Sequence, residues 1–187
     1  MKRTNYLNKQ APAFIVLTND PSITAWGYAV LDVKNKVLTT GCIKTEPKHK
    51  MLRIRKGDDT VRRVSEINQH LLSVIRKYKV TYILSELPHG SQSATAAVMI
   101  GIVTGVMQTI ADTLEIGVEW YSEGDSKKTV LGKRSAVKQE MISAVDDLYE
   151  VPWEGIGYRD EAVADALAIH YTASKQSNVI QLFKTMQ

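Results

Sequence analysis

Residues 14–32, FIVLTNDPSITAWGYAVLD, constrain the fold more than any other stretch of the chain. Phe14, Ile15, Val16 and Leu17 form an unbroken apolar run, the mark of a strand covered on both faces, and the run leads to a carboxylate, Asp20. Pro21 and Ser22 turn the chain, and after Gly27 the alternation of Tyr28 and Val30 marks a second strand. An acid at the end of a buried strand is held on a rigid frame at the rim of a sheet. Alone, Asp20 reads equally well as a turn acid bonded to its own backbone. The choice falls to the rest of the chain, which adds a second strand-end acid and a helix carrying more.

Lys34, Asn35 and Lys36 suit a hairpin turn, so Val37–Lys44 is predicted as a third strand, antiparallel to the second. A helix is predicted over 60–78, where Val61, Val64, Ile67, Leu71, Ile75 and Tyr78 recur at helical spacing. A fourth strand over 80–84 ends on Glu86. Residues 91–115 read as a helix rich in small side chains, with Gly101 and Gly105 four apart. Such a helix is expected to be buried in the domain or against a second copy of the chain. A fifth strand is predicted over 117–121, a polar loop over 122–134, and helices over 135–148 and 158–173. Residues 1–12 read as a basic arm, and the tail 174–187 as a short amphipathic helix. This pattern predicts one α/β domain spanning 1–187, with three antiparallel strands and then two parallel ones in a mixed sheet flanked by helices.

Composition excludes several classes. The polar, basic start has no apolar segment of the kind an export signal carries. The longest apolar run, 94–114, is broken by Thr95, Thr104, Gln108, Thr109 and Asp112, so no membrane span is predicted. A single cysteine, Cys42, excludes an intrachain disulfide and fits a reducing cytoplasm, the host's if the chain is phage-encoded. No zinc spacing joins Cys42 to His49, His70, His89 or His170, and neither a nucleophile-elbow serine nor a phosphate-cradling glycine loop is present.

With the first strand central and the fourth parallel beside it, Asp20 and Glu86 lie at neighbouring strand ends, where α/β sheets place their sites. Glu161 and Asp165 are four residues apart and share a helix face, with Asp160 at its edge. Two bare carboxylates about 4 Å apart repel by roughly 4 kcal/mol at an effective dielectric near 20. Divalent cations remove that cost, and an all-oxygen ligand set suits Mg²⁺ or Mn²⁺. Two such ions about 3.5–4 Å apart can bind a phosphodiester and drive its hydrolysis. A separate basic segment, 48–63, carries Lys48, Lys50, Arg53, Arg55, Lys56, Arg62 and Arg63 against Asp58 and Asp59. It suits either a solvated loop or a surface that follows a phosphate backbone.

These pieces together resemble a known family. Over 14–173 the chain is similar to RuvC-type Holliday junction resolvases of the RNase H-like superfamily. LTNDPSITAWGYAVLD resembles the family's opening Asp-Pro-Gly turn and Gly-Tyr, and GCIKT its third strand. Glu86 matches its strand-four glutamate, KKTVLGKRSAVKQEM its lysine-bearing segment, and EAVADALAIH its closing acidic helix. The resemblance implies an RNase H-like fold, with Asp20, Glu86 and Asp165 as metal ligands, and Lys127 and Lys138 as catalytic or phosphate-contacting lysines. It implies a structure-selective, Mg²⁺- or Mn²⁺-dependent DNA endonuclease with two ions per site, acting as a homodimer that nicks four-way junctions in pairs. Residues 48–63, with Lys128, Lys133 and Arg134, would contact DNA phosphates. A nuclease for RNA–DNA hybrids or for branched DNA in general, and a binding module of the same fold without catalysis, are the alternatives. The chain departs from the family twice. Ser22 stands where the turn usually has Gly, and Ala162 stands where the closing helix usually carries an acid three residues before Asp165. Glu161 or Asp160 is therefore expected to supply the fourth ligand, or one metal site is weaker.

Overall fold

The strand-forming stretches assemble into one five-stranded sheet of order β3-β2-β1-β4-β5. In this computed structural model, which describes residues 13–135 and 137–186, β1 (Ile15–Asp20) is central. It runs antiparallel to β2 (Ala25–Asp32) and parallel to β4 (Tyr82–Leu87). β3 (Val37–Lys44) extends the antiparallel half and β5 (Gly117–Ser122) the parallel half. The β2–β3 turn rests on Asn35 at φ 65°, a conformation asparagine tolerates. The Asp32 carboxylate accepts hydrogen bonds there from the Lys34 and Lys36 amides, each at 2.9 Å.

Neighbouring strand residues feed opposite faces of the sheet, as a period of two requires. Leu17, Val30 and Ile83 pack against α2 (Lys56–Tyr78) and α3 (Ala94–Thr113) through Ile67, Leu71, Met107 and Ile110. Val16, Leu84, Ala29 and Leu31 face the other way, onto α6 (Gly157–Gln176), α5 (Lys138–Asp146) and α7 (Asn178–Thr185). Two contacts lock α6 onto the sheet. A Cβ on Gly27 would run into the Ala162 backbone carbonyl, so only glycine lets the helix approach β2 this closely. Beside it, the Thr18 hydroxyl donates to the Ala166 carbonyl at 2.6 Å. Helix α6 is covered on almost every side, which is why its sequence lacks a clean polar face.

Several elements differ from the sequence reading. Residues 122–134 are not a loop: they hold α4 (Glu123–Leu131), which opens on the Ser122 hydroxyl accepting from the Asp125 amide at 3.1 Å and closes on Gly132 at φ 73°. Nine residues without an apolar stripe hide such a helix from periodicity, although its Ser-x-x-Asp start and glycine stop are standard signals. Helix α2 begins four residues before the predicted start, with Asp58 and Asp59 in the first turn complementing its dipole. A one-turn α1 (His49–Leu52) precedes it. Strand β4 starts and ends later than predicted, so Glu86 lies within the strand.

Helix α3 is not enclosed by this chain. Val103, Met107, Ile110 and Ala111 are its buried residues, while Gly101 and Gly105 have no neighbour near their Cα hydrogens. By length and composition it is long and apolar enough to cross a membrane, at a mean hydropathy of 1.7, although its interrupting polar residues read against a span. Its buried stripe packs on the sheet instead, and Gln108 bonds Trp120 and Asp112 at 3.1 and 2.8 Å. The tail forms α7, where Phe183 stacks on Phe14 with ring centroids 3.9 Å apart. The basic arm at 1–12 lies outside the described residues.

Candidate active site

The strand period brings the acids to one side. Val16, Thr18 and Asp20 alternate onto the α6 face of β1, and Leu84 and Glu86 do the same on β4. Asn19, on the opposite face of β1, is buried; it donates to the Leu84 carbonyl at 3.3 Å and accepts from the Trp26 indole at 3.2 Å. These bonds tie β1 to β4 and to the start of β2 one residue before Asp20. On α6, Asp165 follows Ala162, which sits against Gly27, and precedes Ala166, which receives Thr18. Gly27 is the register partner of Asp20, so the same contacts bring Asp165 to Asp20.

The electrostatics record this crowding. Burial pushes the Asp20 carboxyl well above the ordinary carboxylate range, and the charges of Asp165 and Glu123 push it further. Glu86 rises for the same reasons, burial first, then Asp20, Asp165 and Glu123, with Lys127 opposing. Asp165 is raised to about 6 by burial, which Lys127 and Lys138 partly offset. Strongly shifted acids gathered in one place are a recurrent property of functional sites.

Glu123 was absent from the sequence reading, because 122–134 read as a polar loop and gave it no fixed position. It is the first residue of α4, one step beyond β5, and it ion-pairs with Lys127 one turn later. Lys127 faces the acids, and its own pKa is raised by Glu123 first and, after the opposing effect of burial, by Asp165 and Glu86. Lys138 is exposed at the start of α5 and pairs with Glu161, and its charge bears on Asp165. Of the two acids nominated for the fourth position, Glu161 raises Asp165 alone among the three central carboxyls. Asp160 is turned away: it is buried and accepts from the Glu154 amide at 3.0 Å.

An all-oxygen set of like charges, buried with one half-buried lysine beside it, suits a hard divalent cation chemically. Among the described residues no three acid, histidine or cysteine side chains are already gathered as a finished ligand set. Asp20, Glu86 and Asp165 are electrostatic neighbours on three elements.

The basic segment divides in two. Arg63 is buried, its guanidinium donating to Thr45 at 2.8 Å and to the Ile23 carbonyl at 2.9 Å. This corrects its reading as a surface cation, since it clamps α2 to the loop after β1. Arg62 is held by Asp59, Glu66 and the Glu46 carbonyl, and Arg55 by Asp58. Lys48, Lys50, Arg53 and Lys56 are exposed and make no ion pair among the described residues. Beyond α4, Lys133 pairs with Glu140 and Arg134 with Asp125, while Lys128 is exposed.

Comparison with known proteins adds a lineage to this geometry. A relative from Salmonella choleraesuis, a crossover junction endodeoxyribonuclease RuvC, is 30% identical over 172 residues, covering 90% of this chain and 91% of its own. The Pseudothermotoga lettingae protein of that name is 27% identical over 175 residues, covering 90% and 99%. Among solved structures, Thermus thermophilus RuvC in complex with a Holliday junction substrate superimposes with a TM-score of 0.67 at 23% identity, over 86% of this chain and 93% of that one. The yeast mitochondrial Holliday junction resolvase gives 0.60 at 11% identity, over 91% and 82%. The family described as crossover junction endodeoxyribonuclease RuvC matches residues 16–173, a span that runs from within β1 to within α6, and the chain belongs to that family.

Proposed function

We propose that this chain is a Holliday junction resolvase that hydrolyses phosphodiesters with divalent cations held by Asp20, Glu86 and Asp165. One observation carries the reading: in a RuvC-family chain, β1, β4 and α6 carry three carboxyls, Asp20, Glu86 and Asp165, each raised by burial and Asp20 and Glu86 also by the charge of the others. A module that only bound DNA would gain nothing from repelling phosphates there. Mg²⁺ or Mn²⁺, when bound, supplies water activation and stabilisation of the leaving oxygen. The protein's part is positional: the Asn19 bonds and the Gly27 contact fix the carboxylates, and Lys127 offers a cation to the phosphate beside them.

The same reading makes the active species a homodimer joined through α3. Val98 is 57% exposed, and Ile102 and Val106 line a groove of about 400 Å³ with Leu72 from α2. An apolar helix face with open glycines suits a second copy related by a two-fold axis. Two sites so related match the two-fold arrangement of a four-way junction and give paired nicks.

Incubating labelled four-way junction, fork, duplex and RNA–DNA hybrid with the protein in Mg²⁺ or EDTA tests the function. Symmetric nicking of the junction in Mg²⁺ is expected. Binding in both conditions with cleavage in neither would leave a binding module, and preferred cutting of the hybrid would make it a different nuclease.

A further inference from the structure

We propose that Glu123 completes the metal-holding carboxylate set, which α6 leaves one acid short at Ala162. This rests on the function proposed above.

Ala162 cannot be relieved of its place by a neighbour on its own helix. It is buried against Gly27, where helix and strand touch backbone to backbone. Asp160 is committed to the Glu154 amide, and Glu161 is paired with the exposed Lys138. A further acid comes instead from β5, on the Glu86 side of the site and not at the Gly27 contact that Ala162 fills. Glu86 pairs in register with Tyr121 and Leu87 with Ser122, so Glu123 leaves the sheet directly beside the strand end that carries Glu86. The Ser122 cap sets the first turn of α4, and the other acid of that turn, Asp125, is engaged by the Ser122 hydroxyl at 2.7 Å and by Arg134. Glu123 remains, and among the described residues its ion pair is with Lys127, itself part of the site. Helix α4 also packs against α6, the helix that carries Asp165. Of Glu123, Glu161 and Asp160, Glu123 alone bears electrostatically on Asp20, Glu86 and Asp165 together.

A simpler role exists for the same residue. An acid at the first position of a helix complements the dipole, and Glu at i with Lys at i+4 is a stabilising pair. The two roles differ in what they do to a metal ion. A ligand's removal weakens metal binding, whereas loss of a helix-start acid or of a lysine's partner lowers stability and leaves metal affinity alone.

Mn²⁺ titration of the DNA-free protein, followed by the electron paramagnetic resonance of free Mn²⁺, separates them. Glu123→Gln is expected to weaken Mn²⁺ binding at least about tenfold, since even residues behind the ligands cost 10–100-fold. Lys127→Ala, which removes a competing cation, should leave affinity equal or tighter. Glu123→Asp should recover part of the loss. If Glu123→Gln unfolds, Glu123→Ser, compatible with a helix start, carries the same measurement. Unchanged Mn²⁺ affinity in a folded Glu123 variant, with affinity abolished by Asp20→Asn, would overturn this proposal and leave the nuclease reading standing. No Mn²⁺ binding by the unmodified protein, or binding indifferent to Asp20→Asn, would overturn both.

Discussion

At Asp20, Glu86 and Asp165 the chain keeps carboxyls where burial and mutual repulsion disfavour their charge. Asp20→Asn, Glu86→Gln and Asp165→Asn are each expected to slow junction cleavage by at least about a hundredfold, the scale on which an electrostatic contribution to a transition state is lost. Junction binding, measured by gel shift in EDTA, should hold or tighten, because each change removes negative charge beside phosphates. Near-normal cleavage in any of the three would remove that residue from the ligand set. The shifts also set a pH dependence. Each carboxyl has a folded-state pKa above its unfolded one, so between the two values the folded chain binds more protons. Stability from these groups is therefore present below the unfolded value, about 4, and is lost as pH rises through the folded value, about 6 for Asp165 and higher for Asp20 and Glu86. In EDTA, the melting temperature should fall between about pH 5 and pH 8, by about 2–4 °C for each kcal/mol of stability removed. Asp20→Asn should flatten that slope, and Mg²⁺ should restore more stability at the higher pH. A slope unchanged by Asp20→Asn would show that Asp20 is not the acid under stress.

The element that decides the site is α6. It carries Asp165, and its seat on β2 depends on a hydrogen at Gly27. Gly27→Ala forces a methyl into the Ala162 carbonyl and should cost about 1–3 kcal/mol or more, as overpacking a filled core does. Because the helix must then shift away from β1, cleavage should fall further than stability alone explains. Denaturant unfolding and single-turnover cleavage measure the two losses separately. Full activity in the folded Gly27→Ala variant would mean that Asp165 does not need this seat. Helix α4 contributes at the same scale, since its first two turns carry Glu123 and Lys127 on one face.

At the scale of the whole molecule, two surfaces remain open. Val98→Asp with Ile102→Asp, on the exposed face of α3, should convert a dimer to a monomer in sedimentation equilibrium. It should also uncouple the two nicks, leaving singly nicked junctions to accumulate. A dimer that survives both changes would place the interface elsewhere. The basic segment behaves differently from a uniform charged arm, because Arg55, Arg62 and Arg63 are held by protein groups. Replacing Lys50, Arg53 and Lys56 together with alanine should weaken junction and duplex binding alike. The slope of log affinity against log salt should flatten by about 0.9 for each phosphate that the variant no longer neutralises. An unaltered slope would make these residues a solvated surface.

Much of this molecule is legible in the sequence because strand and helix periods are local. Alternation sends Thr18 with Asp20, and Leu84 with Glu86, to one face, and the order of elements makes β1 central. Four-residue spacing places Glu161 and Asp165 on one side of α6, as the sequence indicates. Tertiary structure alone decided the rest. Whether an acid on α6 faces the sheet depends on which residue meets Gly27, a meeting of positions far apart in the chain. Asp160 left the site because a backbone amide in the loop before α6 claimed it. Glu123 entered because β5 ends beside Glu86 and a short helix, invisible to periodicity, starts there. Arg63 left the surface because the loop after β1 offered carbonyl and hydroxyl acceptors to its guanidinium. A sequence specifies which faces its residues take within an element, while the partner that each face meets is set only when distant elements pack.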